Sequence, residues 1–134
     1  MCWIARIGLT LGVVAWLSAT ILTAQRNPIP ETYTNLQILP KDSTRAGLVA
    51  VMRDFAIQLN VRCQHCHVGE GDDLSTFDFA SDARPAKAVA RRMLLMVQSI
   101  NGPLLEGVGE PTSAGAPKVT CFTCHRGSTK PLTK

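Results

Sequence analysis

The pentapeptide Cys63-Gln64-His65-Cys66-His67 recurs as Cys121-Phe122-Thr123-Cys124-His125, and this duplication limits what the chain can fold into more than any other feature. Two thiols three positions apart lie on one side of a helical turn, and a histidine directly after the second completes C-x-x-C-H, the form that marks covalent attachment of a c-type haem. Each cysteine makes a thioether to one vinyl group of a porphyrin, and the histidine reaches the iron. The repeat extends to Val-x-C-x-x-C-H-x-Gly, with Val61 and Gly69 around the first copy and Val119 and Gly127 around the second. The expectation is therefore two covalently bound haem c groups. One is held by Cys63, Cys66 and His67, the other by Cys121, Cys124 and His125.

Paired C-x-x-C motifs also build structural zinc sites, which want four thiolates or a mixture of thiolate and imidazole in tetrahedral geometry. Such a site has no need of a histidine after the second cysteine twice over. Redox or structural disulfides are a third reading, but a redox C-x-x-C sits at a helix N-terminus after a strand, and no strand pattern precedes either copy.

Residues 7–25 contain no charge and lie between Arg6 and Arg26, the form of an export signal or a single membrane anchor. Residues 1–26 are read as that segment and residues 27–134 as one small domain. Cys2 precedes the apolar run, so it does not resemble a lipid-attachment cysteine. Export agrees with the haem motifs, because c-type haems are attached where the compartment is oxidising. The expected location is the periplasm or the outer face of the bacterial cytoplasmic membrane, with residues 7–25 as the anchor if they are retained. The formal charge of +4 includes Arg6 and Arg26. Beyond them the domain is almost balanced, and no basic run with interleaved aromatics supports nucleic-acid binding.

Aromatic residues in the domain are few: Tyr33, Phe55, Phe77, Phe79 and Phe122. So small a chain buries a meagre core by itself, so two porphyrins are expected to form the centre about which it folds.

Asn27-Pro28-Ile29-Pro30 reads as an extended linker, and Leu36-Gln37-Ile38-Leu39-Pro40 as a short apolar stretch lying extended against the domain. Asp42, Ser43 and Thr44 are N-cap candidates, after which Leu48, Val51, Met52, Phe55 and Leu59 recur at helical spacing, predicting a helix over 44–60. Residues 69–82 form a polar loop with Phe77 and Phe79 as apolar pins. A second helix starts near Arg84-Pro85 and carries Val89, Met93, Met96, Val97 and Ile100 on one face, until Asn101-Gly102-Pro103 stops it. Residues 104–118 lead as a loop to the second motif. The fold class is mainly α, with little or no sheet and a methionine-bearing helix before each C-x-x-C-H.

An electron carrier keeps both faces of each iron occupied, whereas a haem enzyme leaves one open. The chain has three histidines, His65, His67 and His125. With His67 and His125 proximal, and His65 between the thioether cysteines where its own haem's distal face is out of reach, bis-histidine ligation of both haems is excluded within one chain. Methionine is the remaining ordinary ligand. Met52 stands about three helical turns before the first motif. Met93 and Met96 are neighbours one turn apart, and spacing does not choose between them.

The residues Asn35-Leu36-Gln37 with the Met52 helix, the run Arg91-Arg92-Met93-Leu94-Leu95-Met96 through Ile100-Asn101, and Val119-Thr120-Cys121-Phe122-Thr123-Cys124-His125-Arg126-Gly127 together resemble the cytochrome c subunit of photosynthetic reaction centres. In that family a methionine-bearing helix precedes most haem motifs. The resemblance implies Met52 as ligand of the first iron and Met93 of the second, with Met96 as packing. The family carries four haems, and this chain matches one pair.

The function expected is single-electron relay between redox protein partners, or within a larger respiratory or photosynthetic complex, by a dihaem cytochrome associated with the membrane through its N-terminal segment. The alternative is a dihaem enzyme such as a peroxidase with one open iron. A zinc- or disulfide-stapled binding module is a third possibility. Arg91 and Arg92 are candidates to neutralise haem propionates but read more simply as a solvated helix face, and the acidic loop 70–82 is a candidate docking surface for a basic partner that likewise reads more simply as solvated.

Overall fold

The computed structural model describes residues 29–110 and 116–133. The expected export segment 1–26 lies outside them. Among the described residues no helix is long and apolar enough to cross a membrane.

Three α-helices carry the fold: α1 (Arg45–Leu59), α2 (Pro85–Ser99) and the short α3 (Cys121–His125). Thr44 starts α1 by accepting from the Gly47 amide at 3.1 Å, which satisfies one of the amides a helix leaves open at its N-terminus. The helix ends at Asn60, whose left-handed backbone (φ 52°) lets its own amide reach back to the Ala56 and Ile57 carbonyls. The Val61 amide returns to the Ala56 carbonyl at 3.0 Å, closing the end of the helix and turning the chain into the first motif. Helix α2 begins at Pro85, whose missing N–H costs nothing in the first turn. It ends at Ser99, just before the Asn101-Gly102-Pro103 stop. A wide π-type turn, Ile100–Leu104, continues from it and kinks at Gly102 (φ −88°, ψ −110°).

No strand forms among the described residues; a single antiparallel bridge joins Val68 to Asp78. The apolar segment before α1 bends over residues 37–39 rather than running extended. Helix α1 packs on α3, so the helix that leads into the first motif is also the seat of the second.

Leu48, 9% exposed, is the one buried hydrophobic side chain among the described residues, while Ile57 (75%) on α1 and Phe122 (53%) on α3 stand open. A chain that buries so little of its own apolar surface has a weak driving force for folding from its side chains alone.

Candidate functional site

The first motif is a 3-10 turn, Cys63–His65, followed by Cys66 (φ −110°, ψ −20°). The Cys63 carbonyl accepts from both the Cys66 and His67 amides, at 3.2 and 2.9 Å, which draws Cys63, Cys66 and His67 onto one turn. The His67 ring meets Phe79 edge-on with centroids 5.3 Å apart, and Phe79 stacks on Phe77 at 5.6 Å. Phe77 lies so close over Gly69 that a Cβ there would sit 2.4 Å from the ring. The Asp78 amide donates to the Val68 carbonyl at 2.8 Å and closes the loop behind these rings. Both phenylalanines thus act as the expected pins.

His67 is half-buried, and its Nδ1 is buried without a hydrogen-bond partner. Burial lowers its pKa, the Lys87 ammonium lowers it further, and the Phe79 backbone pulls the other way without completing a bond at Nδ1. Burial raises the Cys66 thiol, as does Cys63, with Lys87 opposing. Lys87 itself, from the first turn of α2, donates to the carbonyls of Phe79 (2.9 Å), Ala80 (3.1 Å) and Ser81 (2.7 Å) and pairs with Asp82 at 3.1 Å. Asp82 also accepts from Arg91 (2.8 Å) and Asn35 (2.9 Å), so its carboxyl is held far below the usual carboxylate range, by Arg91 first and then Asn35. A carboxyl depressed in this way contributes stability that is present above its unfolded pKa and is lost only in strong acid.

The second motif is built differently. It is a regular turn of helix, α3, preceded by Thr120, whose amide donates to Thr123 Oγ1 at 3.0 Å. It ends in two left-handed residues, Arg126 (φ 47°) and Gly127 (φ 77°). Gln58 of α1 holds both ends: its Oε1 accepts from the Phe122 amide at 2.9 Å, and its carbonyl accepts from the Gly127 amide at 3.1 Å. The Gln58 amide nitrogen in turn donates to Asp54. At the approach to the motif, Asn101 takes the Val119 amide on Oδ1 (2.8 Å) and gives Nδ2 to the Val119 carbonyl (2.7 Å), in the manner of a neighbouring strand. The His125 Nδ1 lies 2.9 Å from the Ser128 carbonyl. A carbonyl only accepts, so Nδ1 carries the proton and Nε2 of the neutral ring is left with its lone pair for a metal. Burial raises the Cys121 thiol, a backbone hydrogen bond lowers it, and Asp54 and then Cys124 raise it.

Cys63, Cys66, Cys121 and Cys124 are all free thiols, which leaves the disulfide reading without support. Among the described residues no three histidine, cysteine or carboxylate side chains converge as a metal cluster, so the four thiols do not form a shared zinc site. What each motif presents is two thiols and one imidazole on a single turn.

Residues 16–133 match the family model for the photosynthetic reaction centre cytochrome c subunit. The chain belongs to this family. It is 38% identical over 103 residues to the photosynthetic reaction center cytochrome c subunit of Roseobacter denitrificans, covering 75% of this chain and 26% of the relative. The subunit from Rubrivivax gelatinosus is 38% identical over 69 residues, 52% of this chain and 15% of the relative. Cytochrome c-554 of Chloroflexus aurantiacus is 32% identical over 94 residues, 70% and 20%. The chain spans about a quarter or less of the length of these curated relatives.

For a cytochrome c family member the residues present fit covalent haem. The thiols are unpaired, the His125 ring is oriented by its carbonyl partner, and the apolar Phe122 side chain within the second motif stands open.

The methionines divide by position. On α1, Leu48, Met52, Phe55 and Leu59 fall within about 60° of one another around the helix axis, and Asp54 and Gln58 lie about 160° and 120° from Met52. Met52 is thus on the face turned away from the residues that hold the second motif. On α2, Met93 is half-buried and Met96 is 44% exposed. The apolar face read from the sequence was too wide, since Val89 is exposed too; the half-buried stripe runs through Ala86, Ala90, Met93 and Val97.

A further expectation is corrected by the geometry. Arg91 is no solvated side chain, because it is bound to Asp82 and to the Asn35 carbonyl at 3.3 Å; Arg92 is exposed. Four carboxylates of the acidic loop are engaged, two within the loop and two with neighbouring residues outside it. Asp73 caps Ser75, Asp78 accepts from the Ala80 and Ser81 amides, Asp72 pairs with Arg62, and Asp82 joins α2. Lys87, Gln58 and Asn101 are the residues that sequence reasoning missed. The one signal for Asn101 was its place in the Ile100-Asn101 run.

Proposed function

We propose that residues 27–134 form a dihaem c-type cytochrome domain that relays single electrons between redox partners, at the periplasmic face of a membrane and in association with a larger photosynthetic or respiratory assembly. Residues 1–26 serve as its export signal or anchor. Cys63 and Cys66 hold the first haem and Cys121 and Cys124 the second. His67 and His125 are the proximal ligands, and Met52 and Met93 the distal ones. The observation that carries this reading is the pair of turns that each present two free thiols and an imidazole.

A bound haem supplies a reversible one-electron ferric–ferrous couple. The chain supplies fixed ligands. Ser128 holds the His125 ring, Phe79 packs against the His67 ring, and Gln58 and Asn101 clamp the second motif from both sides. Thioether from methionine favours the ferrous state and raises the potential.

Spectroelectrochemical titration of protein matured with the haem-attachment machinery, with carbon monoxide added to the reduced form, tests the proposal. Two covalent low-spin haems that do not bind carbon monoxide are expected. A high-spin haem that binds it would move the reading to an enzyme with an open iron, and protein without covalent haem would overturn the reading altogether.

A further inference from the structure

The two motifs face unlike electrostatic surroundings, and the difference centres on one lysine. Lys87 reaches from α2 across to the loop behind the first motif, with a side chain only 12% exposed. Its ammonium is fixed by three carbonyls, and one of them belongs to Phe79, whose ring rests on His67. Asp82 does not cancel this charge, because Lys87 and Arg91 share the one carboxylate and a unit of positive charge remains. Arg62 and Arg84, the other cations near this motif, are both exposed, and Arg62 is paired with Asp72.

At the second motif the corresponding chain of contacts ends in an anion. Phe122 donates to Gln58, and Gln58 donates to Asp54. Arg126, the cation next to His125, is exposed to water, which screens it.

We infer that Lys87 is the potential-setting residue of the first haem site: a fixed, largely desolvated cation that stabilises the reduced state there and not at the second site. This rests on the dihaem reading above. Reduction lowers the net charge of a haem site by one unit, so a nearby fixed cation favours it, and shielding from water lengthens the reach of that cation. Lys87 reaches the first motif through Phe79, whose carbonyl accepts from the ammonium at 2.9 Å and whose ring meets the His67 ring at 5.3 Å. The histidines act in the same sense. The Ser128 carbonyl accepts a hydrogen bond from His125 Nδ1–H and makes that imidazole a stronger donor to iron, while His67 Nδ1 completes no such bond.

The test is the redox titration of the holoprotein, with the second haem's midpoint identified in a Cys63→Ser, Cys66→Ser chain. Lys87→Gln is expected to shift the reduction equilibrium of the first haem toward ferric on the order of tenfold, about 59 mV for a one-electron couple, and to leave the second unmoved. Lys87→Arg retains the charge and restores the midpoint. Asp82→Asn removes the partial counter-charge and moves the first midpoint the opposite way, upward. Loosening of the loop would move the Lys87→Gln and Asp82→Asn midpoints together, so shifts of the same sign overturn the inference, as does an unmoved first haem. A spectrum without two covalent haems would overturn the underlying dihaem reading and is seen before any midpoint is compared.

Discussion

The two C-x-x-C-H motifs share a sequence pattern but are supported by different physics. The first is an irregular turn whose histidine is sheltered by aromatic rings and an ion-bound loop: Phe77 and Phe79 on one side, and Lys87, Asp82, Arg91 and Asn35 behind them. The second is a regular helical turn held by directed hydrogen bonds from Gln58, Asn101 and Ser128, with Phe122 open to solvent. The repeat therefore duplicates the two thiols and the imidazole and leaves each copy free to find its own support. Even the shared glycine serves two purposes. Gly69 makes room for a ring, and Gly127 adopts a left-handed backbone with nothing within 4 Å of its missing Cβ.

The largest expected effect separates the sites by their proposed distal ligands. Met52→Ala is expected to convert the first haem alone to a high-spin form that binds carbon monoxide when reduced, and Met93→Ala the second alone. Met96→Ala, at an exposed position on α2, leaves both low-spin. Carbon monoxide spectra of the three reduced variants check the assignment, and a high-spin haem in Met96→Ala would reverse Met93 and Met96.

The glycines come next. Gly69→Ala places a methyl group 2.4 Å from the Phe77 ring, so the ring must leave its seat. A loss of about 1–3 kcal/mol is expected from such overpacking. Gly127→Ala meets no neighbour and incurs only the left-handed penalty, roughly 1 kcal/mol. Thermal unfolding of the two holoproteins ranks them, and equal losses would show that Phe77 is not fixed over Gly69.

Features set by neighbours in the chain were legible in the sequence. Thr44 and Pro85 mark the starts of α1 and α2, and both C-x-x-C-H turns stand where the pattern places them. Features set by distant partners were not. Gln58 and Phe122 meet across 64 residues, and a glutamine on a helix gives no sign of the amide it will accept. Lys87 carries no signal of its role, because carbonyls that gather round an ammonium leave no mark in the sequence. The width of the α2 apolar face was misjudged for a related reason. Periodicity finds the centre of a face, but the neighbours decide where its edge lies, and Val89 and Met96 fell outside.

The smallest effect concerns the joint between the two sites. Gln58 lies on α1, which carries Met52 on its far side, yet its side-chain oxygen satisfies the amide of Phe122 at the start of α3. Gln58→Met keeps the length and shape of the side chain and removes the acceptor, so the Phe122 amide must turn to water. A loss of about 1 kcal/mol is expected, the net value of the hydrogen bond to the Phe122 amide, since the exposed Asp54 carboxylate replaces its Gln58 donor with water. The Gln58 carbonyl still holds the Gly127 amide, so α3 stays in place but is freer at its N-terminal end. Hydrogen exchange should then quicken at the Phe122 amide while the amides of Cys66 and His67, both bound to the Cys63 carbonyl, keep their protection. Equal quickening at both motifs would mean that α1 couples the two sites as a rigid unit and that their supports are not independent.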